Sequence, residues 1–148
     1  MKSSLSARTT EIDWFTIEIA LTHPTFDPQQ ITSVLSVEPT YSWKSGDQIG
    51  TSVKRATHWY GRLSAGPSPD EFSAELSAVL QMLTHSQAFF EKFAHGGGTG
   101  ELILNHNVAQ ETEGKVLELR LGTLFLSQIA SAGLGLRVQG WNRSPSAN

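Results

Sequence analysis

Between residues 14 and 22 the chain alternates with a period of two, placing Phe15, Ile17, Ile19 and Leu21 on one side and Trp14, Thr16, Glu18 and Ala20 on the other. This is the side-chain period of an extended strand. A strand that is apolar on one side needs a second layer over that side, so this segment alone selects a layered fold. The covering layer is legible further along. Asp27 and Pro28 are an N-cap and a first-turn residue, and Ile31, Val34 and Leu35 follow at three- and four-residue spacing, which predicts a short helix ending before Pro39. Ser68, Pro69 and Glu71 start a longer helix whose stripe is Phe72, Leu76, Val79, Leu80 and Leu83. The stripe weakens at 84–87 and resumes with Phe89, Phe90 and Phe93. One broken helix or two successive ones ending at Gly96 are therefore expected.

Four more strands complete the pattern. Residues 58–64 put Trp59 and Leu63 on one side and His58, Tyr60 and Arg62 on the other. Residues 101–108 and 116–121 both alternate, with the polar stretch 110–115 joining them as a hairpin. Thr123 can cap a last helix carrying Leu126, Ile129 and Ala130 and closed by Gly133; Leu134, Leu136 and Val138 then form the final strand. The order β-α-β-α-β-β-α-β predicts an α/β fold of the α+β type. Its expected form is a two-layer sandwich, a mostly antiparallel five-stranded sheet with helices on one face, ferredoxin-like or related. A chain of 148 residues suits one domain, expected over 14–141, with disordered tails at 1–13 and 142–148. Residues 38–57 lack periodicity and are punctuated by Pro39, Gly46, Asp47 and Gly50. They read as a loop of roughly twenty residues, a length that in compact domains tends to be functional or mobile.

The chemistry is defined first by what is missing. With no cysteine, thiolate metal ligands, disulfides and a Cys nucleophile are out of reach. No Gly-x-Ser-x-Gly elbow occurs, and His23, His58, His85, His95 and His106 do not fall at ligand spacing. The run from His95 to Gly100 is rich in glycine, but it leaves a helix C-terminus and enters a strand. A phosphate loop runs the other way, from a strand into a helix N-terminus. The carboxylates have simpler roles: Asp27 and Glu71 at helix starts, Glu18 and Glu118 on polar strand faces. No cofactor and no metal are expected, and enzyme activity is disfavoured. The N-terminal residues lack the apolar stretch of a secretory signal, and no apolar run approaches the ~18 residues of a membrane span, so a soluble cytoplasmic protein is expected.

Charge is segregated within a net −3. Lys44, Lys54, Arg55 and Arg62 against Asp47 make 43–66 basic, while eight acids against Lys92 and Lys115 make 67–118 acidic. Four dispersed cations without a basic helix or stacking motif form a weak phosphate footprint, which disfavours nucleic acid as a partner. The segment 39–47 carries Tyr41 and Trp43 beside Lys44 and Asp47, residue types that anchor interfaces because they combine large contact area with polar tips. With Arg55, His58 and Trp59 they form the candidate binding surface.

Along this same segment the chain resembles a bacterial family, domain of unknown function 4279. The resemblance rests on Asp27-Pro28, Ile31-Thr32, Val34-Leu35, Glu38-Pro39-Thr40, Trp43 and Gly46-Asp47. It continues more loosely through Trp59, the Gly97-to-Glu101 strand entry and the last strand–helix–strand unit. It implies a small α/β domain and transfers no catalytic residues. The function expected is a non-enzymatic protein-interaction domain, in its most specific form a toxin–immunity type partner. Beside it stand a small-molecule-binding regulatory domain and an enzyme using His58. Homodimer formation through an exposed sheet edge or the apolar helix face is compatible with each.

Overall fold

The computed structural model describes residues 13–107 and 121–141. In chain order its elements are β1 (Phe15–His23), α1 (Pro28–Leu35), β2 (Tyr41–Trp43), β3 (Gln48–Ile49), β4 (Ser52–Val53), β5 (Thr57–Gly66), α2 (Phe72–His85), α3 (Gln87–His95), β6 (Thr99–Asn107), α4 (Thr123–Ser131) and β7 (Leu134–Trp141). The alternating segment β1 is the middle of a five-stranded sheet ordered β2-β5-β1-β6-β7. It runs antiparallel to β5 and β6; β2 is antiparallel to β5, and β6 and β7 are parallel. The expected α/β architecture with a mostly antiparallel five-stranded sheet is therefore present, joined by a separate β3–β4 ribbon.

Registry assigns the two faces. Ile17, Ile19 and Leu21 lie beside Leu104, Leu102 and Gly100 on β6 and beside Ser64, Gly61 and Trp59 on β5. With Ile31 and Leu35 of α1, Phe72, Leu76, Val79 and Leu83 of α2, Phe90 and Phe93 of α3 and Phe125 and Ile129 of α4, the apolar members form one buried cluster. All four helices thus cover the same side of the sheet. Thr16, Glu18, Ala20 and Thr22 point to the other side, where they meet Asn105, Ile103, Glu101 and Thr99.

Several expectations need correction. The fifth strand of the sheet is β2, from the segment read as a loop; a strand of three residues is too short to display a period. Residues 116–120 of the expected strand, its turn 110–115 and the expected tails other than Asp13 lie outside the described residues. Val34 is 40% exposed, so α1 buries only Ile31 and Leu35. Ser68 caps a 3-10 turn, Pro69–Glu71, and the helix proper starts one residue later at Phe72. In α4 the buried face is Phe125, Ile129 and Ala132, while Leu124 and Leu126 are exposed and Gly122, not Thr123, is the N-cap. Thr123, Ser127, Gln128 and Ser131 hold the opposite side, and within the apolar arc it is Phe125 and Ile129 that are buried.

The glycine run does end a helix. Gly97 takes φ +95°, Gly98 N donates to Phe93 O at 2.8 Å and Gly97 N to Ala94 O at 3.0 Å, the paired bonds of a Schellman motif. Nearby, the buried His23 ring accepts at Nδ1 from Thr25 N and Phe26 N, both at 3.0 Å, and packs against Phe26 and Phe93. An Nδ1 that accepts twice carries no proton, so this histidine is held neutral. Burial lowers its pKa below 6.5, as it does for His58. A group whose folded pKa is depressed binds fewer protons in the native state across that window, so stability is complete above about pH 6.5 and falls as pH drops further. The urea midpoint should decline between about pH 7 and pH 5, and decline less in His23→Gln. A midpoint that rises on acidification would contradict this assignment.

Candidate functional site

On the sheet side away from the helices, β2 and β5 bring four rings together. Tyr41 lies opposite Tyr60, and Trp43 opposite His58. Tyr41 stacks on Tyr60 at 5.1 Å between centroids and on His58 at 5.5 Å; Trp43 stacks on His58 at 5.0 Å and on Tyr41 at 5.7 Å. All four interplanar angles are 26° or less, so the rings form an offset ladder, an arrangement that aromatic quadrupoles favour. Lys54 Nζ sits 4.4 Å from the Trp43 ring centre and closes one end with a cation–π contact. Tyr41 is 47% exposed, and Trp43, His58 and Tyr60 are half-buried.

The other end of the ladder is tied to a buried carboxylate. Glu18 Oε1 accepts from the Tyr60 hydroxyl and from Asn105 Nδ2 at 2.9 Å, while Arg62 Nε is 3.7 Å from Oε2. Asn105 Nδ2 also reaches Thr16 Oγ1 at 3.1 Å, and Arg62 extends to Asp13. The result is a polar network crossing β5, β1 and β6. Burial of Tyr60, then its hydrogen bond to Glu18 and the nearby negative charge, push the phenol up to about 12. With two tyrosines in the chain, spectrophotometric titration can resolve this one. One tyrosine should ionise near 12, and Glu18→Gln should bring that step down toward the ordinary phenol value of about 10. An unchanged step in Glu18→Gln would leave burial as the whole cause.

Of the seven residues singled out from sequence, Tyr41, Trp43 and His58 converge in the ladder. Lys44 and Arg55 flank it through the hairpin that leads out of β2 and back into β5: Ser45 Oγ donates to Arg55 O at 3.4 Å, and Gly46 N and Asp47 O bond Lys54 O and N, both at 2.8 Å. Asp47 is a turn residue, its Oδ2 accepting from Lys44 N at 2.8 Å. Trp59 is not at this surface. It is fully buried on the helix side, where its indole N–H donates to Thr32 Oγ1 of α1 at 3.0 Å. Sequence reasoning missed Tyr60, Lys54, Glu18 and Asn105, because their association depends on strand registry, and the only trace of it was the shared parity of His58, Tyr60 and Arg62. Two grooves on the helical side, of about 690 Å³ between α3 and α4 and about 380 Å³ between α2 and α4, involve none of the seven.

The fold and this surface define a two-layer α/β domain with an aromatic ladder at the sheet margin. The chain belongs to the family described as Domain of unknown function (DUF4279), whose model matches residues 13–142. No curated protein and no solved structure matches it. Among the described residues no helix is long and apolar enough to cross a membrane.

Proposed function

We propose that this domain is a non-enzymatic binding module that engages a partner protein through the Tyr41–Trp43–His58–Tyr60 ladder. The supporting observation is the placement of stacked, part-exposed aromatic rings on the edge strand β2. Edge strands are commonly guarded by charges or proline, whereas Trp and Tyr at such a margin are the residues that dominate binding energy. His58 fits a recognition role, since its ring is wedged between Trp43 and Tyr41 and its Nδ1 is 3.2 Å from Thr22 Oγ1.

The test is affinity capture from the source organism, followed by calorimetry with the purified partner. Trp43→Ala should weaken binding by about thirtyfold or more, the ~2 kcal/mol of a hot-spot aromatic, with the variant still folded. A partner that binds wild type and Trp43→Ala equally would refute the reading. In the toxin–immunity version the partner is a toxin domain, and protection of toxin-exposed cells disappears with the same substitution.

A further inference from the structure

The hairpin beside the ladder carries a charge pattern that narrows the partner's chemistry. Among the described residues the ion pairs join Arg62 to Asp13 and Glu18, and Arg137 to Glu101. Lys44, Lys54 and Arg55 have no carboxylate partner there, and the one acid between them, Asp47, is engaged by the Lys44 backbone N–H. Backbone bonds between 46–47 and 54 hold the segment after β2 against the segment after β4, which carry these cations, with Trp43 under Lys54. In the β3–β4 ribbon Ile49 is 46% and Val53 59% exposed, but registry pairs Ile49 with Ser52 and Val53 with Gln48, so the two lie on opposite faces. Part-exposed Tyr41 and Trp43 beside three cations and a single acid are complementary to an apolar anchor flanked by carboxylates.

We propose that the ladder and the β3–β4 hairpin together dock an acidic peptide segment of a partner protein. Its apolar anchor contacts Tyr41 and Trp43, and its carboxylates meet Lys44, Lys54 and Arg55. This rests on the binding-module reading and adds the partner's chemistry to it. A single-stranded nucleic acid fits less well for two reasons. The ladder rings use their faces on one another, so bases lack a free stacking platform. A polyanion crossing the sheet would also meet the Glu18 and Glu101 carboxylates, which already claim Arg62 and Arg137.

The experiment is selection of a displayed random-peptide library against the intact chain, with an oligo-dT strand as a parallel probe. The expected outcome is enrichment of peptides pairing an aromatic or aliphatic residue with Asp or Glu. A synthesised winner should lose about tenfold or more in affinity to Trp43→Ala, and comparably to Lys44→Glu/Arg55→Glu, with affinity that falls as salt is raised. Peptides that depend on Trp43 but show no acidic bias and ignore the charge reversal would overturn this inference and leave the binding-module reading standing. No Trp43-dependent peptide at all would overturn both. Oligo-dT binding lost in both variants would reassign the surface to nucleic acid, and salt-sensitive self-association in sedimentation would reassign it to a second copy of the chain.

Discussion

Trp59→Ala is expected to destabilise the domain by about 3–5 kcal/mol, the usual cost of emptying a buried aromatic site, whereas Trp43→Ala should cost about 0.5–1.5 kcal/mol. The two tryptophans are sixteen positions apart and belong to the same pair of strands, yet their surroundings differ completely. Trp59 is fully buried, and it lies so closely over Gly61 that a Cβ there would come within 2.6 Å and 2.8 Å of its ring carbons. Its indole also bonds Thr32, whose hydroxyl donates to Pro28 O at 3.3 Å, so the ring ties α1 to the sheet. Truncation removes that tie and leaves a void the size of an indole. In a domain of this length the thermal midpoint should drop by roughly 10 °C for Trp59→Ala and by a few degrees at most for Trp43→Ala. Equal losses would mean that both rings serve the core and that the ladder is not a separate surface.

Gly98→Ala is the second large effect expected, about 2–3 kcal/mol from overpacking. A Cβ at Gly98 would fall 2.4 Å and 2.5 Å from ring carbons of Phe93 and 2.7 Å from the Phe93 carbonyl oxygen. The ring is buried beside His23, and the oxygen is the acceptor of the Gly98 N–H in the helix-ending motif. Neither can withdraw without disturbing the junction of α3 and β6. Gly122→Ala is the matched control, with φ −75° and nothing within 4 Å of the added carbon, and should stay within about 1 kcal/mol. Urea unfolding of both variants checks the contrast; similar small losses would show that the 96–98 turn is looser than its bonds imply.

These two sites also mark what was legible in the residues. The helix end at Gly96 was readable because glycine has a local reason to be there, and the alternation in β1 was readable because one face is apolar and the other is not. Edge strand β2 was not readable, since three residues carry no period and its identity as a strand comes from pairing with β5. Trp59 was grouped with Trp43 because sequence distance to a charged loop says nothing about face. The parity of His58 and Tyr60 against Trp59 already separated the two sides, but only registry told which side the helices cover. In α4 the apolar arc runs through Phe125, Ile129, Leu126 and Ala130, and packing against α2 and β7 selected its Phe125–Ile129 edge.

The central claim is that the domain works through the ladder margin of its sheet. A nuclear magnetic resonance titration of the labelled chain with its purified partner, or with a peptide selected on it, tests this most directly. The Trp43 indole signal and the amides of Tyr41, His58 and Tyr60 should shift, while the Trp59 indole signal stays in place. Shifts confined to Leu80, Thr84, Leu124 and Gln128, which line the groove between α2 and α4, would contradict it.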